Sequence, residues 1–234
     1  MAARPVEVSV ISNGMSHPSD APLHIVHPEV RTYIDGLFPP ACPLLAALDE
    51  QAQAKDFPLI GHASGRVLEL MSRAIGAKRV FEFGSGFGYS AYFFAHAVGP
   101  EGEVIGSECD AHELKAHARI YGEHPLGDRI RIAHGDAMEI FAKEDGLFDC
   151  ILIDIHKSGY ADAINAAIPR VRPGGFIFAD NVLWGGKVAR DAAEDDASTK
   201  ALQDVGRQLF TDPRIRTDIL PVGDGLSVSL RLTQ

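Results

Sequence analysis

The sequence predicts an α/β fold, in which helices cover both faces of a mostly parallel sheet that ends in an antiparallel hairpin. Short apolar runs alternate with helical stretches through the middle of the chain, and strands that are apolar throughout are typical of a parallel sheet buried on both faces. Near the C-terminus, two strand-like runs flank the turn-rich segment 221–225, a pattern typical of a hairpin.

The chain before the alternating region has a different character. Residues 1–22 are rich in Ser, Pro, Asn and small side chains, so we expect a flexible N-terminal arm there. Two short helices interrupted by prolines are predicted between residues 27 and 57, and a third over 65–75, where apolar residues recur at helical spacing. We interpret 23–234 as one domain, with N-terminal helices up to residue 77 and an α/β core over 78–234.

The core elements follow in order from the apolar runs and the stretches between them. Five strands are predicted at 79–83, 103–107, 130–133, 148–153 and 175–179, and the hairpin strands at 215–220 and 226–232. Helices are predicted to begin near Gly88, Ala111, Ala137 and Gly159. An acidic, Ala-rich loop is expected at 189–199.

Composition narrows the possible partners and the cellular location. The chain has 234 residues with a formal net charge of -10, which argues against nucleic acid or an anionic membrane as a partner. No apolar run is long enough to span a membrane, and the N-terminus has no apolar signal core, so a cytoplasmic location is expected. The three cysteines do not form a disulfide framework, and we expect Cys109 and Cys150 to be buried thiols beside strands.

A glycine-rich loop follows the first predicted strand. Gly84, Gly86 and Gly88 stand between that strand and a helix, where glycines allow positive φ and a close approach of backbone amides to a ligand. The spacing differs from the G-x-G-x-x-G of dinucleotide-binding proteins, so a pyrophosphate is not specifically indicated. A tight turn without any ligand is the alternative interpretation.

Other polar residues near the strand ends could complete a nucleoside cofactor site. Glu108 ends the next apolar strand, a position suited to a carboxylate that accepts both ribose hydroxyls. Glu82 lies within the first strand, where its charge requires a partner, either a cofactor ammonium group or a hydrogen bond to the loop. Asp136 and Ala137 follow the third strand and could hold the adenine edge, although Asp136 could also cap the next helix.

Two later strands end in oxygen-bearing side chains. Asp154 follows the apolar strand 148–153, and Asp180 with Asn181 follows 175–179. Ligands bind at the carboxyl ends of the strands in open α/β sheets, and two carboxylates with an amide oxygen suit Mg²⁺. Helix capping by each aspartate is the alternative, but three such ligands at neighbouring strand ends favour a metal site.

A lysine stands beside these acids in the sequence. Lys157 is three residues after Asp154, and a desolvated lysine near a divalent cation has a lowered pKa, so it is a candidate base for a phenolic proton. Tyr160 and Trp184 could form walls for an aromatic acceptor, or could pack in the core. His156 is the one histidine close to the acids in the sequence.

These motifs resemble one enzyme family. The markers are Glu-x-Gly-x-x-x-Gly-Tyr-Ser at 82–90, Asp-x-x-Lys-x-x-Tyr at 154–160, Asp-Asn at 180–181, Leu-Trp-x-Gly at 183–186, and Asp-Pro-Arg-Ile followed by Leu-Pro-Val-Gly-Asp-Gly within 212–225. From about residue 65 to residue 232 the chain resembles the cation-dependent O-methyltransferases, the family of caffeoyl-coenzyme A and catechol O-methyltransferases.

The resemblance implies a Rossmann-like class I methyltransferase fold with a seven-stranded sheet. It also implies S-adenosylmethionine as methyl donor, a divalent cation (Mg²⁺, with Mn²⁺ or Ca²⁺ as further candidates), a vicinal dihydroxy aromatic acceptor and a homodimer. Ser90 and the glycine loop would hold the methionine moiety, and Glu108 the ribose. Asp154, Asp180 and Asn181 would be the metal ligands, with Asp154 also contacting the cofactor, and Lys157 would be the general base.

The chain departs from the family pattern at two positions. Gly86 stands where a larger residue, often Tyr or Thr, is usual, which predicts a looser methionine pocket. His156 replaces an Asp that the family often has, which predicts a different entry for the acceptor. A clear basic cluster for the phosphates of a coenzyme A ester is also missing from the sequence.

Three other functions remain open at this point. The same cofactor and metal could serve a non-catechol hydroxyl, such as that of a sugar or a polyketide. A non-catalytic adenosylmethionine-binding protein would need neither Lys157 nor the oxygen ligands, so their presence favours an enzyme. A nicotinamide-dependent dehydrogenase is a weaker alternative.

Overall fold

The computed structural model describes residues 23–193 and 196–233, so the predicted arm at 1–22 lies outside the described residues. Helices and strands alternate through the core. The helices are α1 Pro28–Asp35, α2 Pro43–Lys55, α3 Gly61–Ala74, α4 Tyr89–Val98, α5 Ala111–Tyr121, α6 Ala137–Lys143, α7 Tyr160–Ala167 and α8 Ala197–Thr211. The strands are β1 Arg79–Phe83, β2 Glu103–Glu108, β3 Ile130–His134, β4 Phe148–Ile153, β5 Val171–Ala179, β6 Ile215–Leu220 and β7 Leu226–Arg231.

The strands form one seven-stranded sheet in the order β3-β2-β1-β4-β5-β7-β6. Strands β1 to β5 pair in parallel, whereas β7 runs antiparallel to both β5 and β6. The predicted mostly parallel sheet with a C-terminal antiparallel hairpin is therefore confirmed. The strand order changes direction between β1 and β4, and ligands bind at such a switch point in open α/β sheets.

Helices pack on both faces of the sheet, as predicted. Helices α2, α3, α4 and α5 contribute to the apolar cluster on one face, and α6, α7 and α8 to the cluster on the other. On the second face, the ring of Phe81 packs edgewise on Phe141 and Phe148, at centroid distances of 4.8 and 5.6 Å. Burial of each such ring contributes about 1.5–3 kcal/mol relative to an exposed one.

Two elements differ from the sequence prediction. Strand β5 begins at Val171 rather than at residue 175, because Val171 pairs with Phe148 across a register shift that accommodates Pro173 and Gly174. Helix α8 was not predicted, and the last three residues of the expected loop at 189–199 belong to it. Its buried residues, Thr199, Leu202, Val205 and Leu209, recur at helical spacing.

The cysteine prediction was half wrong. Cys150 is buried in β4, as expected, but Cys109 is exposed, because it follows the last residue of β2 at the edge of the sheet. None of the helices that the structure describes combines the length and the apolar character needed to cross a membrane.

At the amino ends of the strands, one carboxylate joins three segments. Asp149 accepts hydrogen bonds from the backbone N–H groups of Lys78 (2.7 Å) and Arg79 (2.8 Å), at the start of β1. It also accepts one from Arg172 Nε, at 2.5 Å. The beginnings of β1, β4 and β5 are therefore held together at the edge of the sheet opposite the carboxyl ends.

Candidate active site

A cavity of about 450 Å³ lies at the carboxyl ends of the central strands. Nine of the residues that the sequence singles out line it. They are Gly84, Gly86, Ser90, Glu108, Asp154, Lys157, Asp180, Asn181 and Trp184. The sheet brings them together because β1, β2, β4 and β5 are parallel, so that the loops after these strands meet at one edge.

Six predicted site residues do not line this cavity: Glu82, Gly88, Asp136, Ala137, His156 and Tyr160. Asp136 is exposed and caps α6, accepting a hydrogen bond from the N–H of Glu139 at 3.0 Å, and Ala137 begins that helix. His156 is exposed and caps the short 3-10 helix 157–159. Its placement in the acceptor pocket is therefore not supported, because its side chain is engaged by Ser158 instead.

Of the two positions that the sequence allowed for Tyr160, a wall of the cavity or the core, the structure shows the core. Its side chain is fully buried in the core beneath the cavity. Its hydroxyl donates to the carbonyl of Asp180 (3.1 Å) and accepts from Lys157 Nζ (2.6 Å). Burial raises the pKa of Tyr160 well above its ordinary value, and the nearby Asp154 and Asp180 charges add to the shift. Tyr160 therefore supports Lys157 from below.

The glycine loop requires its glycines for two reasons. Gly84 and Gly88 have φ of +80° and +96°, in the left-handed region that strains other residues. A β-carbon at Gly84 would collide with the carbonyl oxygen of Asp154 at the end of β4. Strand β2 also holds the loop, because Ser107 Oγ accepts a hydrogen bond from the N–H of Gly84 at 3.1 Å. The backbone at Gly84 therefore lies directly against the backbone of Asp154.

Glu82 is completely buried behind this loop. One carboxylate oxygen accepts a hydrogen bond from Ser85 Oγ at 3.0 Å, while the other, Oε1, is buried with no hydrogen-bond partner among the described residues. Burial raises the pKa of Glu82 to about 7, against the opposing effect of the nearby Ser90 and Ser85 hydroxyls. One oxygen of Glu82 is thus unpaired among the described residues, although Glu82 itself does not line the cavity.

This burial predicts a pH effect on stability. The folded protein retains the Glu82 proton up to about pH 7, whereas an unfolded chain releases it near pH 4.5. The free energy of unfolding should therefore decrease as the pH rises from 4.5 to 7. In the ligand-free protein, Glu82→Gln is expected to reduce this pH-dependent decrease by on the order of 3 kcal/mol. Urea unfolding of the wild type and of Glu82→Gln at pH 4.5 and pH 8 measures the difference. Parallel pH profiles for the two proteins would contradict a raised pKa.

Glu108 stands at the end of β2 and lines the cavity beside the loop. Its Oε1 accepts the backbone N–H of Asp110 at 2.7 Å, which orients the carboxylate before any ligand binds. Asp110 in turn caps α5, accepting the N–H of His112 at 2.7 Å. Glu108 is therefore held by the turn that starts the next helix.

Lys157 is the centre of a compact polar cluster. Its Nζ lies 2.6 Å from Tyr160 Oη, 2.5 Å from Asn181 Oδ1 and 3.5 Å from Asp154 Oδ1. The residue is only 8 % exposed, so the position of Nζ is fixed from several sides. The Trp184 ring, which lines the cavity, has its centroid 5.6 Å from the same nitrogen.

The two aspartates lie close enough to influence each other. Burial raises the pKa of Asp180 to about 8, and the charge of Asp154 adds to the shift. Burial also raises the pKa of Asp154, against the opposing effect of Lys157. Asp180 Oδ2 accepts from Asn181 Nδ2 at 3.1 Å, while Oδ1 is buried without a partner among the described residues.

This donor set fits a hard divalent cation. Carboxylate and amide oxygens are the ligands that Mg²⁺ and Ca²⁺ prefer, and a cation would relieve the repulsion between the two buried acids. Asn181 Oδ1 already accepts from Lys157 but retains a second lone pair. Within 23–193 and 196–233, no three His, Cys, Asp or Glu side chains group as a metal site, and the set of oxygens that would hold the cation includes the Asn181 amide.

Sequence reasoning missed several cavity residues. Phe57 and Leu59, from the connection between α2 and α3, line the cavity, and so do Tyr89 and Asp224. Asp224 Oδ1 accepts the N–H of Gly185 at 2.5 Å. Tyr89 and Asp224 lie within motifs that were recognised, so their positions could have been proposed. Nothing in the sequence indicates that Phe57 and Leu59 line the cavity, because their positions depend on how the N-terminal helices pack against the α/β core.

Comparison with known proteins decides the family. A family model described as O-methyltransferase matches residues 42–232, most of the chain. The chain belongs to the O-methyltransferase family. The match covers the glycine loop, the acidic cluster and the hairpin, and the chain is accordingly an S-adenosylmethionine-dependent O-methyltransferase.

Relatives of this O-methyltransferase include enzymes acting on different acceptors. Caffeoyl-CoA O-methyltransferase of Petroselinum crispum is 29% identical over 182 residues, covering 72% of this chain and 75% of the relative. Flavonoid 3',5'-methyltransferase of Vitis vinifera is 28% identical over 179 residues, covering 72% and 76%. Among solved structures, the cofactor-bound protein Rv0187 from MTB is similar with a TM-score of 0.79 and 27% identity, covering 88% of this chain and 98% of that one.

Proposed function

We propose that this O-methyltransferase moves the methyl group of S-adenosylmethionine to one hydroxyl of a small vicinal dihydroxy aromatic molecule, with a divalent cation and with Lys157 as general base. The observation that carries the proposal is the convergence of Lys157 Nζ with the oxygens of Asp154, Asp180 and Asn181 in the cavity beside the glycine loop. A non-catalytic adenosylmethionine-binding protein would need neither the lysine nor these oxygens.

The cofactor is assigned to the half of the cavity formed by the glycine loop. Backbone groups of the loop and Ser90 would hold the methionine moiety, and the free oxygen of Glu82 would serve its ammonium group directly or through water. Glu108, already oriented by Asp110, would accept the two ribose hydroxyls. The methyl group would then face the acidic half of the cavity, where the acceptor hydroxyl is held in line with it.

The cation is assigned to Asp154, Asp180 and Asn181, whose oxygens fit Mg²⁺ and also Mn²⁺ or Ca²⁺. When bound, it would supply charge stabilisation for the oxygen that loses its proton. The buried Asp180 Oδ1 supports this assignment, because a buried carboxylate oxygen without a partner is costly unless a ligand engages it.

Lys157 is suited to take the phenolic proton in its uncharged form. A neutral amine has two N–H groups and one lone pair, and the acceptors Tyr160 Oη and Asn181 Oδ1 satisfy the two N–H groups. Tyr160 Oη is available as an acceptor because its own proton is donated to the Asp180 carbonyl. The lone pair is then left for the acceptor hydroxyl, whose proton moves to Nζ as the methyl group is transferred.

The test is methyl transfer from labelled S-adenosylmethionine to a panel of catechols, caffeate and caffeoyl-CoA, with Mg²⁺ and then with EDTA. Turnover that EDTA abolishes and Mg²⁺ restores is the expected result. Turnover indifferent to EDTA would contradict the cation, and turnover confined to sugar or polyketide hydroxyls would contradict the dihydroxy aromatic acceptor. A homodimer and a cytoplasmic location remain predictions from the sequence.

A further inference from the structure

An aromatic side chain from outside the α/β core lies against the glycine loop. Phe57 belongs to the connection between α2 and α3, and it lines the same cavity as Gly84, Gly86 and Ser90. Its ring packs edgewise on the ring of Phe87, within the loop, at a centroid distance of 5.1 Å. The N-terminal helices therefore contribute a wall to the part of the cavity assigned to the cofactor.

The backbone fixes Phe57 in this place. Helix α2 ends at Lys55, and the next residue, Asp56, adopts a left-handed conformation with φ of +51° that turns the chain. The N–H of Phe57 then returns to the carbonyl of Ala52 at 2.9 Å, a bond that ties it to the last turn of α2. The hydrogen-bonded end of α2 therefore directs the Phe57 ring to the glycine loop.

The tip of the ring occupies the space beside Gly86. A β-carbon built on Gly86 would lie 2.9 Å from Phe57 Cζ and 3.2 Å from Cε1. A side chain at position 86 and the Phe57 ring therefore compete for one volume. Gly86 also has φ of +52°, so a larger residue would be strained there even without the ring.

We infer that Phe57 supplies the wall of the methionine pocket beside Gly86, where this chain carries no side chain of its own. The sequence alone predicts that Gly86 loosens this pocket. The Phe57 ring instead fills the space from the opposite side, so the pocket is not loosened. Phe57 becomes a determinant of S-adenosylmethionine binding that lies outside the α/β core. This inference rests on the proposed placement of the methionine moiety at the glycine loop.

The affinity for S-adenosylhomocysteine, measured by titration calorimetry, tests the wall without an acceptor or a metal. Phe57→Ala is expected to weaken binding about tenfold, since a binding pocket loses on the order of 10- to 200-fold when apolar contacts are removed. Phe57→Leu, which restores part of the apolar side chain, should recover much of the loss. Phe210→Ala, which removes an exposed ring from α8, is the matched control and should bind as the wild type does.

A double-mutant cycle tests the contact itself. Gly86→Ala pushes a β-carbon against the ring and should weaken binding in the wild-type background, partly by displacing Phe57. In the Phe57→Ala background only the backbone strain remains, so the penalty of Gly86→Ala should be at least about threefold smaller. Equal penalties in both backgrounds, or unchanged affinity in Phe57→Ala, would overturn the inference.

The same measurement separates this inference from the proposed function. A wild-type protein that binds S-adenosylhomocysteine but methylates no dihydroxy aromatic would contradict the proposed acceptor, while the binding cycle would still support the wall if coupling is found. If Phe57→Ala instead raises KM for the acceptor alone and leaves S-adenosylhomocysteine affinity unchanged, Phe57 belongs to the acceptor side and the inference is wrong.

Discussion

Lys157→Ala is expected to lower kcat for methyl transfer by about a hundredfold to ten-thousandfold, the usual contribution of a positioned general base. The physical reason is that Lys157 Nζ, held by Tyr160 and Asn181, lies 3.5 Å from Asp154 Oδ1, beside the oxygens proposed to bind the cation. Because the side chain does not belong to the cofactor half of the cavity, affinity for S-adenosylhomocysteine should be unchanged. Single-turnover rates with a catechol acceptor, compared with calorimetric binding, measure both quantities.

The control for this variant is Lys115→Ala, which removes an exposed lysine from α5. It should leave both the rate and the affinity as they are in the wild type. A second diagnostic is the pH profile, since the residual rate of Lys157→Ala should rise with pH as the acceptor hydroxyl loses its proton in solution. Full activity in Lys157→Ala, or loss of cofactor affinity in parallel with the rate, would refute the role of general base.

Asp180→Asn is expected to reduce Mg²⁺-dependent turnover by about a hundredfold to a thousandfold, because Asp180 supplies a buried carboxylate to the proposed cation site. Replacing a charged oxygen ligand with an amide weakens the attraction for the cation while keeping the size of the side chain. Without metal, the same change should raise resistance to urea at pH 9, because it removes a buried carboxylate whose pKa is raised to about 8 by burial and by the charge of Asp154. Loss of activity together with a gain in stability is the expected signature.

The control is Asp204→Asn on α8, where an exposed aspartate pairs with Arg207 at 2.7 Å. Such a surface pair contributes little, so neither activity nor stability should change measurably. Asp180→Asn that is both less active and less stable would indicate that Asp180 has a structural role. Activity that tolerates the change and still responds to EDTA would place the cation elsewhere.

The fold and much of the site could be predicted because their signals are local. Gly84, Asp154 and Asp180 each follow an apolar run directly, and a parallel arrangement necessarily brings such strand ends to one edge. That the Asp154 and Lys157 side chains would meet could be anticipated from their three-residue spacing. The antiparallel hairpin of β6 and β7 could be predicted from the turn-rich linker, whereas the order of the strands is known only from the structure.

The remainder depends on packing between distant segments. Tyr160 is three residues from Lys157, but only the packing of α7 decides that its ring enters the core and its hydroxyl supports the lysine from below. Phe57 reaches the glycine loop only because α2 turns at Asp56 and folds back over the sheet. For Asp136 the sequence allowed both a contact with the adenine and a cap on the next helix, and the structure shows the cap on α6.

The bonds of Asp149 at the amino ends of the strands have a consequence for altering this enzyme. Three segments are anchored there, while the residues assigned to cofactor, cation and acceptor lie in loops at the opposite edge. Combinatorial libraries that diversify those loops would leave the anchors intact. We expect them to retain a larger fraction of folded members than libraries of equal size built around Asp149, so acceptor preference can be changed with little loss of folded protein.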